Sequence, residues 1–599
     1  MASTRYLCYS EQVLAGRPNE EPPGPRDADV DARRTRALGI ATPASAPARR
    51  GGRLRRSLRA IAVTAVIVSA AILLFDRATS ITPPALAPPA AESVQFDADG
   101  VARIGSSSFE RRNALWVMHL TGNPQQLGYR QARLSAPIMA AGDFRMLDVF
   151  ATFVPSAALR SLLTAVVRAR YRDVDRGFPP ERRAEIFGES IGYGDHGPTF
   201  LPPYHRLVFL HALYDIALAF ERSPLLGCTA FAAGGDATRN GATPGHTIVA
   251  RNFDLDLDPW FDIDKAVQLY EPDGKIPFAS VAWPGLTGVV TGMNAAGIWV
   301  SVNGARAGTP DAAGVPVVFT TRAILENAHT LDEAIALAAR DAPMTSHMLL
   351  LADGASGESA VVERAPGHTA AVRRAAVTVL TNHYASPAFT DDPKDAYVRE
   401  HTSTLARDAR LRELIARSDG RIDPAAAVTI LRDRDAVGDA PLPLGNRNAI
   451  DALIATHSVV ADLTAGVLWV SEGPHTLGAY RRIDLRARLA GGTPPDEPSG
   501  DIAVDPLLTN GMFDRYLLGA RLRRAAERDR AHGDTVGAAE DYGRALALRG
   551  DDHLAWRDLA ATRASLGDSA GARSAWQRVV ALAPESPALA AEARAAATR

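Results

Sequence analysis

Cysteine and the common cofactor motifs are scarce or missing in this sequence. Cys8 and Cys228 are its two cysteines in 599 residues, and two cysteines cannot build a disulfide framework or a cysteine-rich zinc site. The sequence has no phosphate-binding loop, no dinucleotide fingerprint and no metal-ligand spacing of histidines, so we expect neither a cofactor nor a metal. Its formal net charge is −2, which gives no reason to expect nucleic-acid binding.

The N-terminal region contains one long apolar run. Residues 1–56 are rich in Arg, Pro and Ala without periodicity, which predicts a disordered arm. Arginines then precede the uncharged run Ala60–Phe75, and this order predicts a single-pass anchor over 57–77, with the arm in the cytoplasm and the rest outside a bacterial-type inner membrane. The run is shorter than the ~20 residues of a spanning helix, so a cleaved signal peptide of a secreted or periplasmic protein stays open. Residues 78–93, rich in Pro and Ala, predict an extended spacer.

The chain from residue 94 to residue 490 predicts a layered α+β domain. Helical patterns dominate 94–227, whereas strand patterns alternate with amphipathic helices in 228–490. Runs of strands beside separate helical blocks are typical of layered α+β folds. Asn240-Gly241 lies between the first two strand patterns after Cys228 and predicts a tight hairpin.

A repeat follows a Pro/Gly-rich linker at 491–510. "GDTVGAAEDYGRALALRGDD" and "GDSAGARSAWQRVVALAPES" begin at Gly533 and Gly567, and this spacing of 34 residues resembles the tetratricopeptide repeat. Residues 511–599 are therefore predicted to form a small helical repeat domain. It could stabilise the main domain, shape the site entrance or bind a partner protein on its concave surface.

Cys228 lies in the stretch "SPLLGCTAFAAGG", and three interpretations compete for it. A lone cysteine on an apolar strand is most often a buried structural thiol. Leu-Leu-Gly-Cys has the letters of a lipid-attachment box, but it lies far beyond the apolar run that such a box follows. The third interpretation is a nucleophile. It is favoured by polar residues that end other apolar strands and so mark a cleft at one sheet edge: Arg251, Asp254, Asn294, Asn303, Asn382 and His383.

Several motifs resemble a known family when they are taken in chain order. "GCTAFAA", "GHTIVARNFD", "TGMNAAGIWVSVN", "LLLADGASGESAVVERAP" and "VTVLTNH" resemble N-terminal-nucleophile cysteine hydrolases of the acyl-CoA:6-aminopenicillanate acyltransferase type (peptidase family C45). Choloylglycine hydrolase and acid ceramidase are more distant members of the same group. The resemblance covers about residues 115–485. It implies a four-layer αββα sandwich and makes 94–227 a propeptide or α-chain.

The resemblance also implies a self-cleaving precursor. The Cys228 thiol would attack the carbonyl of Gly227, and the α-amine released there, with a pKa near ~8, would serve as base for the thiol. Arg251 would lower the pKa of the thiol, and Asp254 would hold the α-amine.

The remaining roles concern the substrate oxyanion and one further arginine. Asn303 and Asn382 would donate to the oxyanion, where one donor is worth about 3–4 kcal/mol. A late arginine is also expected, and Arg399, Arg407 and Arg410 are the candidates.

The function implied is hydrolysis or transfer of the acyl group of an amide or thioester through an acyl-enzyme on Cys228. The expected partners are a small-molecule acyl amide, the membrane and a protein partner on the repeats. The alternative is a membrane-anchored scaffold whose tetratricopeptide-like block is the working part and whose hydrolase-like domain is not catalytic. Retention of one set of residues argues against that alternative: Cys228, Arg251, Asp254, Asn303 and Asn382.

Overall fold

The structure is a computed structural model that describes residues 50–198, 200–219, 226–256, 260–489 and 500–598. The chain divides after Ser80 into two compact units. Residues 1–49 of the predicted arm and residues 490–499 of the predicted linker lie outside the described residues.

The unit that ends at Ser80 contains helix α1 (Arg50–Thr79). Its segment Leu58–Thr79 has a mean hydropathy of 2.4 and is long and apolar enough to cross a membrane. The helix also includes residues 50–56, which composition predicts as disordered. Arginine is a good helix former, so the basic residues before Ala60 can prolong the apolar helix toward the N-terminus.

The unit from Ile81 onward carries the strands. The described strands are β1 (Gln95–Phe96), β2 (Ala102–Ile104), β3 (Ser107–Arg112), β4 (Leu115–Gly122), β5 (Leu226–Ala233), β6 (Ile248–Leu255), β7 (Ala266–Pro272), β8 (Phe278–Ala282), β9 (Thr291–Asn294), β10 (Ile298–Gly304), β11 (His347–Asp353), β12 (Ser359–Arg364), β13 (Ala371–Ala375), β14 (Val377–Leu380), β15 (Asp435–Ala436), β16 (Ala440–Pro441), β17 (Ala455–Asp462), β18 (Val467–Ser471) and β19 (Tyr480–Asp484).

Helices flank these strands along the same unit. The described α-helices are α2 (Pro124–Phe153), α3 (Ala157–Arg170), α4 (Pro180–Tyr193), α5 (Pro203–His211), α6 (Leu213–Ala219), α7 (Trp260–Ile263), α8 (Val317–Asn327), α9 (Leu331–Arg340), α10 (Pro393–His401), α11 (Thr404–Arg417), α12 (Pro424–Leu431), α13 (Leu485–Leu489), α14 (Met512–Ala531), α15 (Thr535–Leu548), α16 (His553–Ser565), α17 (Ser569–Ala581) and α18 (Pro587–Thr598).

Two sheets form the centre of this unit. An eleven-stranded sheet has the order β1-β2-β3-β4-β7-β8-β9-β10-β11-β12-β13, and a six-stranded sheet has the order β14-β5-β6-β17-β18-β19. The mixed α/β class predicted from the sequence is confirmed.

Three hydrophobic clusters separate four layers. Ala230 of the six-stranded sheet and Trp299 of the eleven-stranded sheet belong to the cluster between the two sheets. Helices including α2, α4, α5 and α8 cover the outer face of the larger sheet, and α11 and α12 cover the outer face of the smaller one. Strands buried on both faces need nearly continuous apolar residues, and β10 and β11 are buried at every position for this reason.

The alternation of side chains along β5 and β6 sets the direction of the site residues. Ala230 and Ala232 face the larger sheet, and Cys228 shares their face because side chains alternate with period two. On β6, Val249 belongs to the same cluster between the sheets, so Arg251 also points between the sheets, whereas Asp254 points to the opposite face. The two strands pair so that Gly227 lies opposite Asp254.

The segment before Cys228 is built into the body. Strand β4 pairs in parallel with β7 over seven residues in the middle of the larger sheet. Arg182 of α4 forms ion pairs with Glu185 and with Glu326 of α8, at 2.5 and 3.1 Å, and all three side chains are almost fully buried.

Cleavage after Gly227 should therefore leave two fragments that remain associated. Separating them would expose β7 and leave buried charges unpaired, which is costly. Both fragments should co-elute in size-exclusion chromatography under native conditions and separate in denaturant. A fragment of residues 228–599 that elutes alone under native conditions would contradict this prediction.

The C-terminal helices repeat with the spacing seen in the sequence. Asp534 caps α15 and Asp568 caps α17, each by accepting from the backbone N–H three residues on at 2.8 Å. Helices α14, α15 and α16 pack around Tyr542 and Leu559. This arrangement is compatible with tetratricopeptide repeats, and that assignment stays a prediction.

Two local predictions differ from the structure. Residues 234–247 form a longer loop than the tight hairpin predicted at Asn240-Gly241, because the Asn240 backbone N–H donates to Gly420 O at 2.7 Å and its side chain donates to Asp419 O. The described end of the predicted linker is also ordered. Ile502 pairs with Tyr480, and Trp469 donates to Gly500 O at 2.7 Å.

Candidate active site

Cys228 lies buried on β5 with no exposed surface. Its backbone N–H donates to Asn382 Oδ1 at 3.0 Å, and Arg251 Nη2 approaches its Sγ at 3.6 Å. Burial raises the pKa of the Cys228 thiol, and the nearby Arg251 opposes that rise. The thiol therefore lies next to the cation that would stabilise its thiolate.

Arg251 is held rigidly beneath the thiol. Its guanidinium donates to Val290 O, Thr291 Oγ1 and Val302 O, and it lies 4.6 Å from the ring of Phe253. A planar guanidinium fixed by several acceptors keeps one orientation. The second N–H of its Nη2 is thus directed at Cys228, and its Nε is buried without a hydrogen-bond partner among the described residues.

Asp254 lies beside Gly227 on the neighbouring strand β6. A Cβ placed on Gly227 would lie 3.5 Å from Asp254 Oδ2. Burial raises the pKa of Asp254 to about 7, against the opposing charge of Arg407. A carboxyl with such a pKa can both take up and release a proton near neutral pH.

Arg407 is the late arginine that lies in the site. It donates to Cys228 O at 2.5 Å, to Thr229 Oγ1 at 2.8 Å and to Asn382 Oδ1 at 2.8 Å. The other two candidates are used elsewhere. Arg399 pairs with Asp395 at 2.6 Å, and Arg410 pairs with Asp433 at 2.7 Å.

Both asparagines donate to backbone carbonyls in the intact chain. Asn303 donates to Thr381 O at 2.8 Å and to Leu380 O at 3.3 Å, so both of its N–H groups contact backbone carbonyls. Asn382 donates to Gly304 O at 3.0 Å and turns its oxygen toward the Cys228 nitrogen. In the intact chain, Asn382 is therefore the side chain that accepts from the Cys228 backbone N–H.

Asn294 and His383 lie outside this cluster of contacts. Asn294 stabilises the turn before β10, because its Oδ1 accepts from the Ala296 and Ile298 backbone N–H groups. His383 bonds to Thr381 and Thr404 at 3.2 and 3.0 Å, and burial lowers its pKa to about 4.

Sequence reasoning missed two residues that lie against Gly304 at the end of β10. Tyr214 and Leu218 of α6 lie against Gly304, with the Tyr214 hydroxyl 3.6 Å and Leu218 Cδ2 2.9 Å from the position of a Cβ there. Burial raises the pKa of Tyr214 well above its usual value, and the charge of a Cys228 thiolate would raise it further. Both belong to the segment before Gly227 and Cys228, and no sequence signal marked them.

Among the described residues, no group of three His, Cys, Asp or Glu side chains could hold a metal ion. A cavity of about 280 Å³ lies between α4 and α8, lined by residues including Arg182, Lys275 and Glu326. None of the residues that contact Cys228 lines it.

Comparison with known proteins connects this geometry to one family. Residues 241–442 match the family of acyl-coenzyme A:6-aminopenicillanic acid acyl-transferases. The match covers about a third of the chain and includes Arg251, Asp254, Asn303, Asn382 and Arg407. It supports an N-terminal-nucleophile hydrolase fold for the layered body.

Individual relatives are distant. An uncharacterized protein of Archaeoglobus fulgidus is 25% identical over 238 residues, so the match spans 37% of this chain and 38% of that relative's length. A Caenorhabditis elegans N-acylethanolamine-hydrolyzing acid amidase ortholog is 20% identical, with 40% of this chain and 93% of that chain covered and a TM-score of 0.30. For a mutant of conjugated bile acid hydrolase from Clostridium perfringens, the identity is 12%, the coverage 43% and 92%, and the TM-score 0.30.

Proposed function

We propose that this chain is a self-processing cysteine amidohydrolase or acyltransferase whose nucleophile is Cys228. One observation carries the proposal. The thiol of Cys228 contacts Arg251, while its backbone N–H and C=O are each held by a side chain, Asn382 and Arg407. A structural cysteine needs none of these contacts, whereas a nucleophile that also uses its own amine is served by a cation beside the thiol and by side chains that fix its backbone.

The first reaction is cleavage of the bond between Gly227 and Cys228. The Cys228 Sγ attacks the Gly227 carbonyl carbon, the C–N bond breaks, and the thiol proton passes to the departing nitrogen. Asp254 can carry this proton, because it lies beside Gly227 and its pKa is about 7. Water then hydrolyses the thioester, which leaves a carboxylate on Gly227 and a free thiol and α-amine on Cys228.

The second reaction uses the same residue on a substrate. The α-amine, held by Asn382 Oδ1, takes the thiol proton, and the thiolate attacks the substrate carbonyl to form an acyl-enzyme. The amine product leaves, and water or another acceptor removes the acyl group. Asn303 can donate to the oxyanion if the substrate oxygen replaces Leu380 O, which accepts the longer of its two bonds at 3.3 Å.

The substrate class is inferred from location and chemistry. An enzyme held at a membrane meets hydrophobic acyl amides, and a small-molecule amide of this kind is the substrate we propose. Competition between a panel of N-acyl amides and a thiol-directed activity probe on purified protein would identify the preferred acyl chain. Equal competition by all chain lengths would contradict a hydrophobic acyl pocket.

We further propose that α1 anchors the enzyme by one span, with the catalytic body outside the cytoplasm. Basic residues before the apolar run support this orientation. Deleting residues 1–79 should move the protein from the membrane fraction to the soluble fraction. If protein expressed from the full-length sequence instead has a mature N-terminus beyond residue 75, the apolar run is a cleaved signal peptide.

The experiment that tests the enzymatic proposal is denaturing electrophoresis with N-terminal sequencing. Self-cleavage should yield a fragment of residues 228–599, a little over three fifths of the 63.6 kDa chain. Its sequence should begin Cys-Thr-Ala-Phe.

A further inference from the structure

Five consecutive residues of one loop, Leu444 to Asn448, are held by the C-terminal helical block, defined here as residues 512–598. This loop lies just beyond the matched family region. The block contacts it through main chain and side chains: Arg549 Nη2 donates to Leu444 O at 2.5 Å, Asn446 Nδ2 to Ala583 O at 2.9 Å, the Arg447 backbone N–H to Glu585 Oε1 at 3.1 Å, and Asn448 Nδ2 to Pro584 O at 3.1 Å.

The fit of this loop tolerates little change. Gly445 has φ +80°, and a Cβ there would lie 2.6 Å from the Tyr516 ring. Ala583, which accepts from Asn446, has a left-handed φ of 54°. That conformation costs a residue with a Cβ about 1 kcal/mol or more. A side chain at position 445 is thus excluded by Tyr516. The backbone strain lies at Ala583, where the block contacts the loop.

The loop connects the block to the active-site strand. Arg447 Nη2 donates to Asp256 Oδ2 at 2.5 Å, and Asp256 follows β6 two residues after Asp254. The charges that act on Asp254 are Arg407 on α11, Asp451 three residues beyond the loop, Arg447 on the loop and Arg251 on its own strand. Glu585, which holds the Arg447 backbone, also pairs with His553 of the block at 3.2 Å.

We propose that the C-terminal block is a working part of the enzyme. It holds the Leu444–Asn448 loop so that Arg447 lies over Asp256 and acts as a positioning residue for the Asp254 carboxylate. This inference rests on the proposed function. The scaffold role considered for the block is not needed to explain why its helices contact this loop.

The proposal has an electrostatic consequence that a merely structural role lacks. Arg447 favours the ionised form of Asp254, so its loss raises the pKa of Asp254 from about 7. Self-cleavage that needs ionised Asp254 rises as pH rises through that pKa. Arg447 is partly exposed and is one of three arginines that act on Asp254. Its loss should move the pH midpoint of self-cleavage upward by about half a pH unit.

The test follows self-cleavage of the pulse-labelled full chain from cell-free translation, shifted to buffers of different pH. Arg447→Gln should raise the midpoint and slow cleavage about threefold at pH values below it. Arg447→Lys keeps the charge and should restore the wild-type midpoint. Glu585→Ala should shift the midpoint in the same direction as Arg447→Gln. Arg515→Gln removes the same charge from an exposed position of α14 and should change nothing.

The outcomes separate this inference from the function on which it rests. If the wild-type chain never cleaves at any pH, the proposed function fails and the inference fails with it. If the wild type cleaves and Arg447→Gln matches Arg515→Gln at every pH, the inference alone is overturned. A midpoint for Arg447→Lys equal to that of Arg447→Gln also overturns it, because charge would then not matter.

Discussion

Cys228→Ala should leave the chain in one piece and without enzymatic activity. The variant keeps the fold, because alanine is smaller than cysteine and the site is buried, yet nothing remains to attack the Gly227 carbonyl. Denaturing electrophoresis should show one band near 63.6 kDa where the wild type shows two. Cys228→Ser should cleave much more slowly, because a hydroxyl is a far weaker nucleophile than a thiolate near neutral pH.

Cys8→Ala is the matched control for this prediction. It removes the second cysteine, which lies far from the site in sequence, so its chain should cleave at the wild-type rate. Labelling with iodoacetamide completes the test, because the Cys8→Ala protein should incorporate one label, at Cys228, after cleavage. Cleavage of Cys228→Ala at the same bond would show that another group performs the reaction.

Arg407→Gln should have the second largest effect, on self-cleavage and on stability together. Arg407 is fully buried and gives charged hydrogen bonds to Cys228 O, Thr229 Oγ1 and Asn382 Oδ1. Losing these bonds should cost about 3 kcal/mol or more. Among the charged side chains, Arg407 also lowers the pKa of Asp254 the most, and the substitution removes that effect.

The expected result is at least a hundredfold slower cleavage and a lower melting temperature, since ~1.4 kcal/mol corresponds to one factor of ten. Arg407→Lys should recover stability better than cleavage, because an ammonium cannot reach three oxygens in the geometry of a planar fork. The control is Arg412→Gln on the same helix. Arg412 is 54% exposed and pairs with Asp408, an interaction worth at most about 1 kcal/mol. Equal cleavage rates for Arg407→Gln and Arg412→Gln would show that Arg407 has no role in self-cleavage.

The strands around the site could be predicted because their signals are local. The stretch "TGMNAAGIWVSVN" forms β9, a turn and most of β10, as its apolar pattern indicates. The stretch "THSVVADLTAGVLWVSEG" forms most of β17 and all of β18 in the same way. The tight hairpin at Asn240-Gly241 could not be rejected from sequence. The backbone N–H of Asn240 donates to Gly420 O, and Gly420 lies far along the chain.

Side-chain orientation was harder to predict than side-chain position. Sequence placed Asn382 and Asp254 at strand ends, but the resemblance assigned the α-amine to Asp254. In the intact chain, Asn382 Oδ1 accepts from the Cys228 backbone N–H, and Arg407 donates to the same oxygen and fixes the amide. The assignment of Asp254 to the free α-amine stays a prediction. An amide that donates or accepts equally well takes its direction from its neighbours.

The sequence by itself determined the apolar N-terminal helix, the mixed α/β class, the repeat of 34 residues and the polar residues that end the strands near Cys228. These follow from composition and from periods of two and 3.6 residues, which each segment carries alone. Only the tertiary structure decided which of Arg399, Arg407 and Arg410 reaches Cys228, and that Arg447 connects the C-terminal block to the strand of Asp254. Arg407 and Cys228 are separated by 179 residues. Contacts over such distances depend on how the layers pack, and no local pattern encodes them.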